Sequence, residues 1–139
     1  MQFDKEGNIL VAKLDDGADI FESLRGIMEK IDERSAMIIS GIGMITDFKL
    51  GYYNSKTGEY EWKEYTDPME LLSLSGSFTT DGSIHIHAEV SGPDHDVKGG
   101  HLDGGRVFNV NEITMLAFKE IEMIKEMDEV RDMTLLAFK

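Results

Sequence analysis

The sequence predicts an α+β fold: a mainly antiparallel β-sheet packed with one prominent α-helix, in a single domain over residues 1–139. Three observations carry that expectation. Short β-branched or alternating runs recur between Gly, Asp and Asn turn signals. One stretch alone carries a clear period near 3.6. No repeat, low-complexity tract or linker divides the chain.

Taken in order, NILVAKL (residues 8–14) reads as a first strand and Asp15-Asp16-Gly17 as a turn. Ile20, Phe21, Leu24, Ile27, Met28 and Ile31 then form one apolar helical stripe, which places a helix over about residues 18–33. Asp19 with Glu22 three residues on resembles a capping box, and Lys30 and Arg34 suit the far end of the dipole. AMIISGIGMITDFKLGYYN reads as two strands or one long bent strand, with Gly41 and Gly43 marking a bulge or close backbone approach. NSKTG is a hairpin loop and EYEWKEY its returning strand, with Tyr60 and Trp62 on one face as sheet packing or a subunit contact. MELLSLSGSFTT follows as a strand interrupted by Ser75-Gly76-Ser77, and Asp81-Gly82 signals a hairpin into Ser83–Val90. Val97–Leu102, Arg106–Val110 and Glu112–Phe118 are β-compatible, the last also allowing a helix. KEIEMIKEMDEVRD is polar and helix-favouring, or a charged connection, and TLLAFK returns to strand character.

Composition removes several classes of function. With 139 residues, 41% hydrophobic and 29% charged, the chain can bury a sizeable core and reads as soluble. No apolar run approaches the ~20 residues of a membrane helix. MQFDKEGN lacks the basic, then apolar, pattern of a secretory signal, so the expected compartment is the cytoplasm. The absence of cysteine excludes disulfides, thiolate ligands and a thiol nucleophile. A net charge of −13 with no basic run or Arg-Gly-Arg-Pro-like hook argues against direct DNA binding. Gly41-Ile42-Gly43 lacks the third glycine of a dinucleotide fingerprint, and neither a phosphate loop nor a Gly-x-Ser-x-Gly elbow is present.

The chemistry concentrates in SIHIHAEVSGPDHDVKGGHLDGG, which holds all four histidines of the chain. Strand alternation puts His85, His87 and Glu89 on one side, with the paired Cβ atoms of the two histidines ~6–7 Å apart. A reversal over Ser91–Lys98 followed by an antiparallel strand brings His101 opposite that pair. Three neutral imidazoles then supply three corners of a tetrahedron at ~2.0–2.1 Å from zinc, and another imidazole-binding divalent metal would serve as well. Other readings stay open: hydrogen-bonded histidines in a pocket, a solvated face, or a pH-sensitive subunit contact. His95, between Asp94 and Asp96, reads as a loop residue. Glu89 can orient an imidazole, serve as a general base or form a cross-strand ion pair. Gly99-Gly100 reads as a bulge, or as backbone clearance beside His101.

SGIGMITDFKLGYY, MELLSLSGSF and HIHAEVSGPDHDVKGGHLDGG together resemble the plants-and-prokaryotes-conserved (PPC) domain, in the family's order and over nearly the whole chain. The resemblance implies an α+β fold, a homotrimer and, as in prokaryotic members, a metal site at the His-x-His and Gly-Gly-His positions, here His85, His87 and His101. No AT-hook precedes the domain as it does in plant members, so the DNA-binding role does not carry over. The expected function is a metal-binding homotrimer of unestablished activity. If it is an enzyme, hydrolase or lyase chemistry assisted by Glu89 or Glu112 is expected. The alternatives are a protein-interaction module or a DNA-associated regulator.

Overall fold

A computed structural model describes residues 1–139. The strands are β1 (Gln2–Glu6), β2 (Ile9–Asp15), β3 (Ser35–Thr46), β4 (Phe48–Asn54), β5 (Glu59–Tyr65), β6 (Met69–Phe78), β7 (Ile84–Ser91), β8 (Val97–Asp103), β9 (Arg106–Phe118), β10 (Met123–Asp128) and β11 (Met133–Phe138). One helix, α1 (Ile20–Met28), follows β2. Nine strands form one antiparallel sheet in the order β1-β2-β9-β3-β6-β7-β8-β4-β5, and β10-β11 is a separate hairpin.

The expected α+β class holds, with a single short helix. Asp19 caps that helix as anticipated, accepting from the Glu22 backbone N–H at 2.9 Å. Ile20, Leu24, Ile27 and Met28 are its buried stripe, and a fully buried aliphatic side chain contributes about 1.5–3 kcal/mol. The helix stops at Met28 rather than near residue 33. Arg34 instead donates its backbone N–H to the Phe118 carbonyl and pairs with Glu122, which draws the following chain into the sheet. Ile31 packs against the core from outside the helix.

β3 and β4 are two strands, separated at Asp47, whose φ is +52°. They do not pair: β3 lies between β9 and β6, whereas β4 crosses to pair with β8 and β5. Register shifts at Ile38/Ser40 and Gly43/Ile45 supply the expected irregularity in β3. β9 is continuous where two strands were expected. Its Asn111 is fully buried, and the side-chain amide donates to the Met44 and Val110 carbonyls, each at 2.8 Å. Those bonds carry a polar residue through a buried ladder. Ser75-Gly76-Ser77 does not break β6. A Cβ at Gly76 would stand 2.0 Å from the His85 carbonyl oxygen, so glycine there lets β7 lie flush against β6.

The polar segment after Phe118 forms neither a helix nor a loose connection. It is the first strand of the β10-β11 hairpin, closed by an Asx turn in which the Asp128 carboxylate accepts from the backbone N–H groups of Val130 and Arg131. Ser35 Oγ donates to the Ile121 carbonyl, Thr80 N–H donates to the Met123 carbonyl, and Met123 is buried. These contacts seat the base of the hairpin on the sheet beside β7.

Candidate metal centre

β7 and β8 pair so that His87 lies directly opposite His101, with Ala88 opposite Gly100 and Glu89 opposite Gly99. The outward row of β7 carries His85, His87 and Glu89, while Ile86, Ala88 and Val90 point into the core. Ring centroids are 5.1 Å apart for His85–His87, 5.0 Å for His85–His101 and 5.6 Å for His87–His101. One ligating nitrogen from each ring falls within 4.8 Å of the others. Tetrahedral ligands on zinc stand about 3.4 Å apart. Small side-chain rotations therefore suffice to bring the three together.

Electrostatics favour the neutral imidazoles that a metal requires. Burial pushes His85 down to about 4, helped by the positive field of Lys125 and of the two other histidines. His101 is also held below its ordinary value, by burial first and then by His87, while Asp103 pulls the other way. His85 therefore keeps a free lone pair at neutral pH. His101 Nδ1 is buried without a hydrogen-bond partner. A buried acceptor or donor left so costs about 1–3 kcal/mol, which ligation would relieve. The donor set of three imidazoles and no thiolate fits a zinc-type ion.

His95 is not part of the cluster. It sits exposed in the β7–β8 turn at φ +61°, its N–H donating to the Gly92 carbonyl. Glu89 is exposed one step along the histidine row. Glu112 is on β9, three strands from β7, and the fold does not bring it to the histidines. The backbone beside His101 explains one glycine: a Cβ at Gly100 would lie 2.6 Å from the Gly51 carbonyl oxygen. Residue 100 must be glycine for β8 to close on β4, where Gly51 pairs with His101.

Two features of the site were not expected. Tyr60 and Trp62 stack on each other at 5.1 Å and flank His101, with ring centroids 5.2 and 5.8 Å from it. They reach it because β5 joins β4, which joins β8. The β10-β11 hairpin closes the other side, forming with His85, His101 and Tyr60 a cleft of about 460 Å³. Strand alternation in EYEWKEY gave the facing of the aromatics but not their neighbour, and the composition of the hairpin pointed away from strand.

The fold is thus a nine-stranded antiparallel sheet with one helix and a histidine triad on two paired strands, and comparison with known proteins places it in a family. The sequence profile of the Plants and Prokaryotes Conserved (PCC) domain matches residues 1–119, and the chain belongs to that family. A solved metal-containing protein from Archaeoglobus fulgidus is 31% identical with a TM-score of 0.81, covering 99% of this chain and 99% of that one. A PPC protein from Pyrococcus horikoshii is 24% identical with a TM-score of 0.80, covering 98% of this chain and 94% of that one. A structure from Bacteroides thetaiotaomicron, described as a candidate DNA-binding protein, is 22% identical with a TM-score of 0.88, covering 99% and 96%. No curated protein matched.

Proposed function

We propose that this protein is a cytoplasmic, homotrimeric metal-binding protein that holds zinc through His85, His87 and His101. The observation that carries the reading is the convergence of three imidazole nitrogens within 4.8 Å on an outward strand row. The name of the Archaeoglobus relative, a metal-containing protein at 31% identity, supports it. Three histidines leave a fourth position, and zinc bound so supplies Lewis acidity there. Of the two carboxylates first considered as proton carriers, Glu89 alone shares the histidine strand. Any hydrolase or lyase chemistry would therefore draw on Glu89.

The trimer is supported by apolar side chains on the outer face of the central strands. Ile9, Leu116 and Met37 are cross-strand neighbours on β2, β9 and β3, and Val11, Ile39 and Ile42 are exposed beside them. An apolar outer row of this kind suits a contact surface, and the proposed occupants are other copies of the chain. The net charge of −13 weighs against DNA as the partner.

Metal content decides the first part. Zinc-equilibrated wild type should carry about one metal per chain after dialysis, and His101→Ala should fall below about a tenth of that. Wild type without stoichiometric metal after zinc addition would refute the site. Light scattering at micromolar concentration decides the second, and a monomer there would refute the trimer.

A further inference from the structure

The cleft beside the histidines has a charge character opposite to that of the protein. The chain has 27 acidic residues against 14 Lys and Arg. None of the 27 lines this cleft. Its one full charge is Lys125, half-buried on β10, which forms no ion pair with any carboxylate. Lys125 and His85 line the same cleft. Leu136 is the β11 partner directly opposite Lys125, and Met133, Leu135, Ile84 and Tyr60 are the other apolar or aromatic residues of the lining. Asp103, at the end of β8, is exposed and lies outside the cleft.

A small cleft with one unpaired ammonium, a histidine cluster and apolar sides selects an anion with a modest apolar body. We propose that this cleft binds a small oxyanion, a carboxylate or phosphate group, held between Lys125 Nζ and the histidine centre. The proposal rests on the metal reading above. One oxygen of the ligand faces the open position on the histidine side. A second accepts a charge-assisted hydrogen bond from Lys125, stronger than a neutral one because the cleft is partly desolvated. The apolar residues of β11 limit the size of the group that carries the anion.

The test uses full-length protein loaded with cobalt, whose visible spectrum reports the metal's surroundings. Metal stoichiometry is measured first. Inorganic phosphate is titrated in one arm and butyrate in the other, so that a phosphate ligand and a carboxylate ligand are told apart. Saturable spectral change with at least one of them is expected. Lys125→Met and Lys125→Gln should each weaken that affinity about tenfold, the loss of one hydrogen bond to a charged group, while binding cobalt as wild type does. Lys119→Met, which removes an exposed lysine elsewhere, should leave it unchanged. If cobalt binds and neither anion perturbs it, or if the Lys125 variants bind as wild type, or if Lys119→Met weakens binding equally, this proposal fails and the metal site stands. If wild type takes up no cobalt, both fail.

Discussion

Replacing Gly100 by alanine tests how the sheet holds the metal centre. Alanine places a Cβ 2.6 Å from the Gly51 carbonyl oxygen and 3.4 Å from its carbon. Ordinary contact needs at least about 3.4 Å, so β8 and β4 must separate locally by roughly 0.8 Å. The obstruction is backbone within a ladder, which cannot rotate away as a flexible side chain can. Strain of this kind costs about 1–3 kcal/mol, or roughly 3–12 °C in Tm for a chain of this length. Gly51 is the partner of His101, so the displacement falls on the third histidine of the cluster. Thermal melts of metal-free Gly100→Ala should show the stability loss. Zinc affinity by competition with a chromogenic chelator should fall by at least tenfold. Gly99→Ala is the comparison, because its Cβ would meet the Ala88 carbonyl at a milder 3.1 Å, and it should lose less of both. A Gly100→Ala variant with wild-type Tm and zinc affinity would show that the β4–β8 contact does not set the position of His101.

Two further outcomes test the frame around the site. Gly26 lies inside α1 with nothing within 4 Å of a built Cβ, so Gly26→Ala should raise stability by about 0.5–1 kcal/mol in urea melts; a loss would mean the helix is not formed there. Met123 is 2% exposed at the base of the β10-β11 hairpin, and Met123→Ala should cost about 2–5 kcal/mol locally. Hydrogen exchange should show protection lost over residues 123–138 while β7 keeps its own, whereas uniform loss would show that the hairpin is not a separable unit.

The histidine pairing was legible in the sequence because it depends on local rules. Period two put His85 and His87 on one side, and the short connection after Ser91 fixed an antiparallel return that set His101 opposite His87. What lay outside the sequence depended on distant strands. β4 leaves β3 at Asp47 and crosses to β8, so nothing near Tyr60 or Trp62 announces His101 as their neighbour. Asn111 fell between two runs read as separate strands, because one of its two amide bonds goes to Met44, far away in the chain. The segment 119–132 favours helix by composition, yet burial of Met123 and the ladder to β11 override a propensity worth only a few tenths of a kcal/mol per residue.

The hairpin also separates two levels of the site. All three histidines, Tyr60 and Trp62 lie within residues 1–119, the part matched by the family profile. Lys125 and the β11 wall lie outside it, although the Archaeoglobus structure covers 99% of this chain, which leaves no room to omit the hairpin. A backbone shared past the end of a sequence signature suits a wall whose shape is kept while its side chains set what enters. On the proposed reading, metal capture belongs to β7 and β8, and choice of ligand to β10 and β11. The two are separable by mutation in one direction only: His101→Ala should abolish metal and anion binding together, whereas Lys125→Met should weaken anion binding about tenfold and spare the metal. Equal loss of metal in both variants would merge the two levels and make Lys125 part of the support of the histidines.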